Sequence, residues 1–256
     1  MKIVVLVKQV PDTWGERLLD PATGRVDRDT DRVVDEVNER ALEVALRFKD
    51  KNKGTDIALL SMGPSTATEA LRKGLSMGAD SAIHVVDDAL AGSDAVRTAA
   101  VLAAALKQSG FDLVIAGNES TDGRGGVVPA MVAEHLGVPS LNYLNIVEIT
   151  ESLVSGERGT ENATSKVHAA LPAVVSVTER TPEARFPNFK GIMTAKRKPL
   201  AVMSLTDLGM DPASRNGQSV VVSTAQRPAR TAGKRIIDEG NAGVELAEFL
   251  VAGRLI

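Results

Sequence analysis

The sequence predicts an α/β protein: a mostly parallel open sheet with helices on both faces, followed by an extended C-terminal arm. Three observations predict it. Short β-branched runs alternate with longer stretches of helical periodicity, the pattern of strands whose crossover helices cover both faces of a sheet. The apolar run LVIA hands over directly to a glycine-rich loop, AGNESTDGRGG at residues 116–126, and then to helical spacing. Beyond residue 207 the chain is marked by proline and glycine, with one last amphipathic stretch.

Taken in order, Lys2 to Val7 is the first strand. Asp35 to Lys51 is a helix with the apolar stripe Val37, Ala41, Val44, Ala45 and Phe48. Between them the acidic run Asp27 to Glu39, alternating with arginines, reads as a solvated loop. Ile57 to Ser61 is the second strand, and Gly63-Pro64 opens a helix in which Thr66 and Glu69 form a capping box. Ala82 to Val86 and Asp112 to Ala116 are further strands. The helix between them is capped by Ser93 and carries Val96, Ala100, Ala103 and Leu106. Val127 to Leu136 is another helix, ended by Gly137 and Pro139.

From Tyr143 the pattern changes. Ile146 to Val154 and Lys166 to Val177 read as strands around a polar connection, and residues 178–199 hold three prolines and little periodicity. Residues 209–218 read as a linker, Ser219 to Ser223 as a short strand. A terminal helix carries Val244, Leu246, Phe249 and Leu250. The expected organisation is a domain over 1–207, containing a candidate recognition loop at 180–199, and an arm over 208–256. Long segments without structure of their own are uncommon in compact domains, so they imply a chain that gains order from a partner.

Composition narrows the function. At 256 residues the chain can bury roughly three quarters of its unfolded surface. A net charge of −3 and 3% aromatic residues give no electrostatic or stacking case for nucleic acid. The absence of cysteine excludes disulfides, thiolate metal sites and cysteine nucleophiles. The N-terminal apolar run is broken by Lys8 and the longest one ends at Lys107, too short for a signal peptide or a membrane span. The expectation is a cytoplasmic protein that is not membrane-embedded.

The loop at 116–126 lies where open α/β sheets hold ligands, at the carboxyl end of a strand. Its glycines let backbone N–H groups face an anion, the next helix adds its positive end, and Arg124 offers a fork to a phosphate. Asp122 suits a ribose hydroxyl or the turn itself. Read alone, the loop is equally an anion cradle or a solvated turn. It is neither a dinucleotide fingerprint nor a P-loop, since the third glycine and the GK[ST] are both missing. His84, His135 and His168 are scattered, and no hydrolase elbow or carboxylate cluster occurs, so no catalytic residue is assigned. Phe186, Phe189, Ile192 and Met193, beside the basic run Lys190 to Lys198, are either core or an exposed anchor with a basic rim.

Several stretches in sequence order carry a resemblance. They are VLVKQVPD (5–12), LLSMGPSTATEALRKGLSMGADSAIHV (59–85), DLVIAGNESTDG (112–123), LPAVVSV (171–177), ARFPNFKGIMTAKRKP (184–199) and RTAGKR (230–235). Together they resemble the β-subunit family of electron transfer flavoproteins, which includes the nitrogen-fixation-linked FixA proteins. The resemblance implies an adenine-nucleotide α-hydrolase-like fold and a heterodimer with an α subunit. Flavin adenine dinucleotide (FAD) is held chiefly by the α subunit, and the β subunit buries an AMP that does no chemistry. Electrons arrive from acyl-CoA or related dehydrogenases, as in fatty acid oxidation, and leave to a quinone oxidoreductase; the subunit itself is not an enzyme.

Carried over by position, AMP is expected against Leu6, Asp35, Asn38, Met62, Gly117, Asn118, Asp122, Gly123, Arg124, Gly125, Gly126, Val127 and Val128. Thr13 and Val37 are expected near FAD. Phe189 stands where the family usually has an anchoring leucine, with Ile192 and Met193 as further partner-binding residues. Gly125 to Val128 replace side chains that are polar in many relatives, leaving the phosphate to backbone N–H groups and Arg124. Two alternatives stay open: an electron-bifurcating β subunit with a second FAD in place of AMP, and a stress-type nucleotide-binding module.

Overall fold

The computed structural model describes residues 1–15, 17–214, 219–225, 227–230, 232–233 and 235–256. The first half of the chain forms β1 (Lys2–Leu6), β2 (Gln9–Pro11), β3 (Arg32–Val34), α1 (Glu36–Lys51), β4 (Asp56–Met62), α2 (Thr68–Met77), β5 (Ser81–Val85), α3 (Ala95–Ser109) and β6 (Leu113–Gly117). The second half forms α4 (Val128–Leu136), β7 (Ser140–Leu144), β8 (Ile146–Ile149), β9 (Leu153–Gly159), β10 (Thr164–Ala170), β11 (Ala173–Val177), α5 (Phe189–Ala195), β12 (Leu200–Met203) and α6 (Ala242–Ala252).

Side chains alternate across a strand, and β1 shows what that does here. Ile3 and Val5 enter a core built with Ala41, Leu42 and Ala45 of α1 and Leu71 and Leu75 of α2. Val4 and Leu6 enter the opposite core with Leu102 and Leu106 of α3 and Val132 of α4. A strand apolar at every position therefore serves two helix layers. Seven strands make the sheet in the order β12-β5-β4-β1-β6-β11-β7, each pair parallel. A three-stranded antiparallel sheet, β10-β9-β8, and the ribbon β2-β3 complete it.

The chain divides into two units, Met1–Ser223 and Thr224–Ile256. Residues just before the division are tied to the first unit: Ser219 N donates to Asp94 Oδ2 (3.0 Å) and Arg97 Nη2 to Pro212 O (3.4 Å). In the second unit α6 has no buried residue, and Val244, Leu246, Phe249 and Val251 are all exposed.

Several expectations are corrected. Thr66 and Glu69 make no capping box, because Thr66 Oγ1 bonds Gln9 Oε1 (2.9 Å) and a 3-10 turn over Ser65–Ala67 precedes α2. Asp94, not Ser93, caps α3: its carboxylate accepts from Arg97 N, while the Ser93 hydroxyl turns back to Leu90 O. Val96 is exposed on that helix. The run Lys166 to Val177 is two strands, since Pro172 lacks the N–H a continuous ladder needs. Ile146 to Val154 likewise splits at a turn closed by Thr150 N donating to Leu153 O. The acidic run is not simply solvated, because β3 pairs with β2 within it and Asp35 is fully buried. Residues 219–223 form no strand, and residues 189–195 are helical. Four residues of the expected linker, 215–218, and two of the RTAGKR stretch, 231 and 234, lie outside the described residues.

Candidate functional site

Strand order places the site. β1 and β6 are neighbours, yet α1 after β1 and α4 after β6 cover opposite faces. In open α/β sheets the segments leaving such a pair diverge, and ligands bind in the crevice at the carboxyl ends of the two strands. Leu6 ends β1, Gly117 ends β6 and Met62 ends the adjoining β4.

The walls of this crevice meet because one position has no side chain. A Cβ on Gly117 would lie 2.6 Å from Asn38 Nδ2 and 3.1 Å from Val37 Cγ1, so only glycine admits the first turn of α1 against β6. Asn38 Oδ1 then accepts from Lys8 N (2.8 Å). Asp35 caps α1 through Val37 N (3.2 Å), and its other oxygen accepts from Thr121 N (2.7 Å) and Thr121 Oγ1 (3.0 Å). One buried carboxylate thus starts the helix and holds the loop after β6.

Asp122 is the second such carboxylate. Its side chain is 2% exposed and accepts from Lys8 Nζ (2.6 Å) and Arg28 Nη2 (3.1 Å), and Gly123 N donates to it at 2.7 Å. Burial pushes the carboxyl up, but the Lys8 ammonium and its hydrogen bond, with Ser120 and Arg28, lower it to about 2. Arg28 also donates to Gln9 O (3.1 Å), and Arg17 donates to Thr121 O. The excursion between β2 and β3 is therefore sewn onto the glycine-rich loop.

The rest of the loop is left with hydrogen-bonding capacity. The N–H groups of Gly125, Gly126 and Val127 donate to no protein group among the described residues. Val128 and Pro129 open α4 with no side-chain cap, so the positive end of that helix faces the loop. Asn118 Oδ1 is buried without a partner. Tyr143 OH, donating to Gly126 O (2.7 Å), holds the far side of the turn. Arg124, at φ 46°, has a side chain 72% exposed and 4.0 Å from Glu119.

The structure thus brings Leu6, Asp35, Val37, Asn38, Gly117, Asn118 and the loop from Asp122 to Val128 together. Met62 lies one strand away, at the end of β4. Thr13 lies on an exposed turn after β2, outside the network. Sequence reasoning passed over Lys8 and Arg28. A lone cation at the end of a first strand was the available signal for Lys8; Arg28 had none, standing 94 residues from Asp122.

The histidines take no part. His84 is buried on β5 with Nδ1 3.1 Å from Thr68 Oγ1, and burial lowers its pKa. His135 and His168 lie on α4 and β10. No cluster of metal-ligating residues and no helix long and apolar enough to cross a membrane occurs among the described residues.

A second surface stands apart from the crevice. On and beside α5, Phe186 is 94% exposed, Phe189 80%, Met193 62% and Ile192 54%. The core reading of these residues falls. They are an apolar patch beside Lys190, Lys196 and Arg197.

Fold and site together define an open α/β protein with a glycine-rich loop at its topological switch point, a loop in which the N–H groups of Gly125, Gly126 and Val127 donate to no protein group among the described residues. Residues 23–208 match the family model of the electron transfer flavoprotein domain. The electron transfer flavoprotein β subunit of Mycobacterium leprae is 49% identical over 265 aligned positions, covering 99% of both chains. That of Megasphaera elsdenii is 32% identical over all of both chains. The caffeyl-CoA reductase-Etf complex subunit CarD of Acetobacterium woodii is 35% identical over 83% of this chain and 81% of its own. The chain belongs to the electron transfer flavoprotein family.

Proposed function

We propose that this chain is the β subunit of a heterodimeric, FAD-containing electron carrier. It passes electrons from acyl-CoA and related dehydrogenases to a quinone oxidoreductase in the cytoplasm and holds a structural AMP. One observation carries the AMP reading: in the segment after β6, the N–H groups of Gly125, Gly126 and Val127 and the buried Asn118 Oδ1 have no protein partner among the described residues. A phosphate suits three N–H donors beside a helix N-terminus, since its oxygens accept from them, and the exposed Arg124 side chain, 4.0 Å from Glu119, extends from the same loop. Asn118 Oδ1 is an acceptor for a hydroxyl or amino group of a nucleoside. Leu6, Met62 and the first turn of α1, with Val37 and Asn38, supply the apolar and close-packed wall.

FAD, held mostly by the α subunit, supplies the chemistry of taking up and releasing electrons. This chain positions and presents. Asp35 and Asp122 hold the nucleotide loop without touching solvent, and Thr13 and Val37 face the flavin side. The patch of Phe189, Ile192 and Met193 docks the dehydrogenase, with an aromatic ring taking the place of a leucine in an apolar pocket. The arm, whose helix α6 exposes Val244, Leu246 and Phe249, covers the α subunit.

The test is to co-express the chain with an α subunit, denature the purified complex and identify the released nucleotides by mass spectrometry. One FAD and one AMP per heterodimer are expected. Two flavins and no AMP would establish the bifurcating arrangement instead, and a stable homodimer with no affinity for any α subunit would restore the stress-type module.

A further inference from the structure

A carboxylate buried in a helix layer and paired across more than a hundred residues is a costly feature, and one such group lies under the apolar patch. Glu43, on the face of α1 turned toward the segment before α5, is 4% exposed. It accepts from Arg185 N (3.2 Å), Arg185 Nε (2.7 Å) and Arg185 Nη2 (3.1 Å), and from Arg47 Nε (2.9 Å). Arg185 Nη2 also reaches Asp50 (2.8 Å). Burial alone would push Glu43 up; the bonds from Arg185 and then Arg47 reverse this and leave it below the usual carboxylate range.

Arg185 directly precedes Phe186. The segment before it is tied as well, by Arg40 Nη1 donating to Thr181 O (2.6 Å). Beyond it, Asn188 Oδ1 caps α5 through Gly191 N (2.7 Å). A Cβ on Gly191 would collide with the carbonyl oxygen of Ser76, so α5 lies directly on the backbone of α2. At the far end Arg72 Nη1 donates to Ala195 O (2.8 Å) and Lys198 O (3.0 Å), and Lys198 Nζ donates to Leu75 O (2.9 Å) and Ala79 O (2.5 Å). Apart from the bond to the exposed Asp50, every one of these bonds engages backbone or the buried Glu43 carboxylate. None engages the exposed side chains they hold in place.

From this arrangement we infer that the Glu43–Arg185 fork is a positioning device: it clamps the start of the docking segment so that Phe186 and, on α5, Phe189, Ile192 and Met193 are held in one fixed arrangement before a partner arrives. The inference rests on the docking reading above and adds its cause. Three exposed apolar side chains on a free seven-residue helix, with Phe186 just before it, would collapse onto one another or fray, because so short a helix is not stable by itself. Clamped at both ends, they lose no further backbone freedom on binding, which favours association with a dehydrogenase presenting an apolar pocket. A carrier that must leave quickly gains from a rigid, small anchor surface rather than from a large one.

The test uses the purified heterodimer with its α subunit. Electron acceptance from an acyl-CoA dehydrogenase is followed against heterodimer concentration, and amide exchange is read over residues 186–195. Arg185→Ala should raise the KM for the heterodimer about tenfold and speed exchange over α5 by a similar factor, with kcat changed less than about twofold. Phe189→Ala should raise KM without faster exchange. The double variant should be no worse than the worse single one, since the clamp acts through the anchor. If Phe189→Ala raises KM and Arg185→Ala does not, docking stands and the clamp is overturned. Unaltered exchange in Arg185→Ala overturns it too. If Phe189→Ala leaves KM unchanged, the docking reading has failed and the clamp falls with it. Arg185→Lys keeps the charge but not the fork; it carries the same comparison should the Ala chain fail to assemble, with a KM expected between the two.

Discussion

The crevice at the ends of β1 and β6 and the surface of α5 invert the usual distribution of side chains in opposite ways. In the crevice, charge is buried: Asp35 is wholly inside and Asp122 nearly so, each holding chain segments distant in sequence. On α5, apolar groups are outside, and their nearest support is a set of bonds to the backbone behind them. Buried carboxylates are retained where donors surround them, and exposed apolar groups are retained where something covers them later. The buried carboxylates of the first region find their partners within this chain. The apolar side chains of the second find no cover among the described residues.

If that contrast holds, variants in the two regions separate by stability and by binding. The largest effect expected is from Asp122→Ala, which strips both cations of their partner and should cost roughly 3 kcal/mol in urea unfolding. A loss under about 1 kcal/mol would mean that Lys8 and Arg28 simply turn to solvent and that the loop is held by Asp35 alone. Acid should act on the same group. The Asp122 carboxyl titrates at about 2 in the fold against 3.8 ordinarily. Its contribution, roughly 2 kcal/mol, is complete above pH 3.8 and lost as pH falls through about 2. Asp122→Asn should therefore flatten the acid unfolding curve in that window, and an unchanged curve would remove the carboxylate from the account.

Arg124→Ala sharpens the contrast from within the crevice. Its side chain is exposed and contributes little to the fold, so stability should stay within about 0.5 kcal/mol while adenylate is retained roughly tenfold less tightly. Equal retention would leave the phosphate to the backbone N–H groups. The smallest stability effect is expected from Phe189→Ala, again within about 0.5 kcal/mol. A loss of more than 2 kcal/mol would return Phe189 to the core and break the comparison.

Much of the fold was legible because strands and helices differ in period and because the inner strands of the large sheet, such as β1, β6 and β11, are short, apolar and bounded by polar chain. The cap of α3 was misread by one residue, since Ser93 and Asp94 are both capable and only the backbone path decides which side chain meets Arg97 N. α5 was read as irregular chain because seven residues are too few to show a period and Asn188 follows a proline. The glycine-rich loop was legible as a turn after a strand, an anion cradle or a solvated turn alike, because glycine content is a local feature. Its neighbours Lys8 and Arg28 were not, since nothing local in a sequence marks a partner 94 or 114 residues away. The same distance hid Glu43 and Arg185, 142 residues apart.

By itself, then, the sequence determined the α/β class, the two-sided core, the place of the loop after the fourth sheet strand and the family. All of these are written in local pattern: alternation, periodicity, glycine content and ordered motifs. Tertiary structure decided which carboxylates are buried and what they hold, whether Phe189 faces in or out, and that α5 is fixed from behind. These depend on which distant segments the parallel sheet brings side by side, and that proximity is a property of the packed chain rather than of any stretch of it.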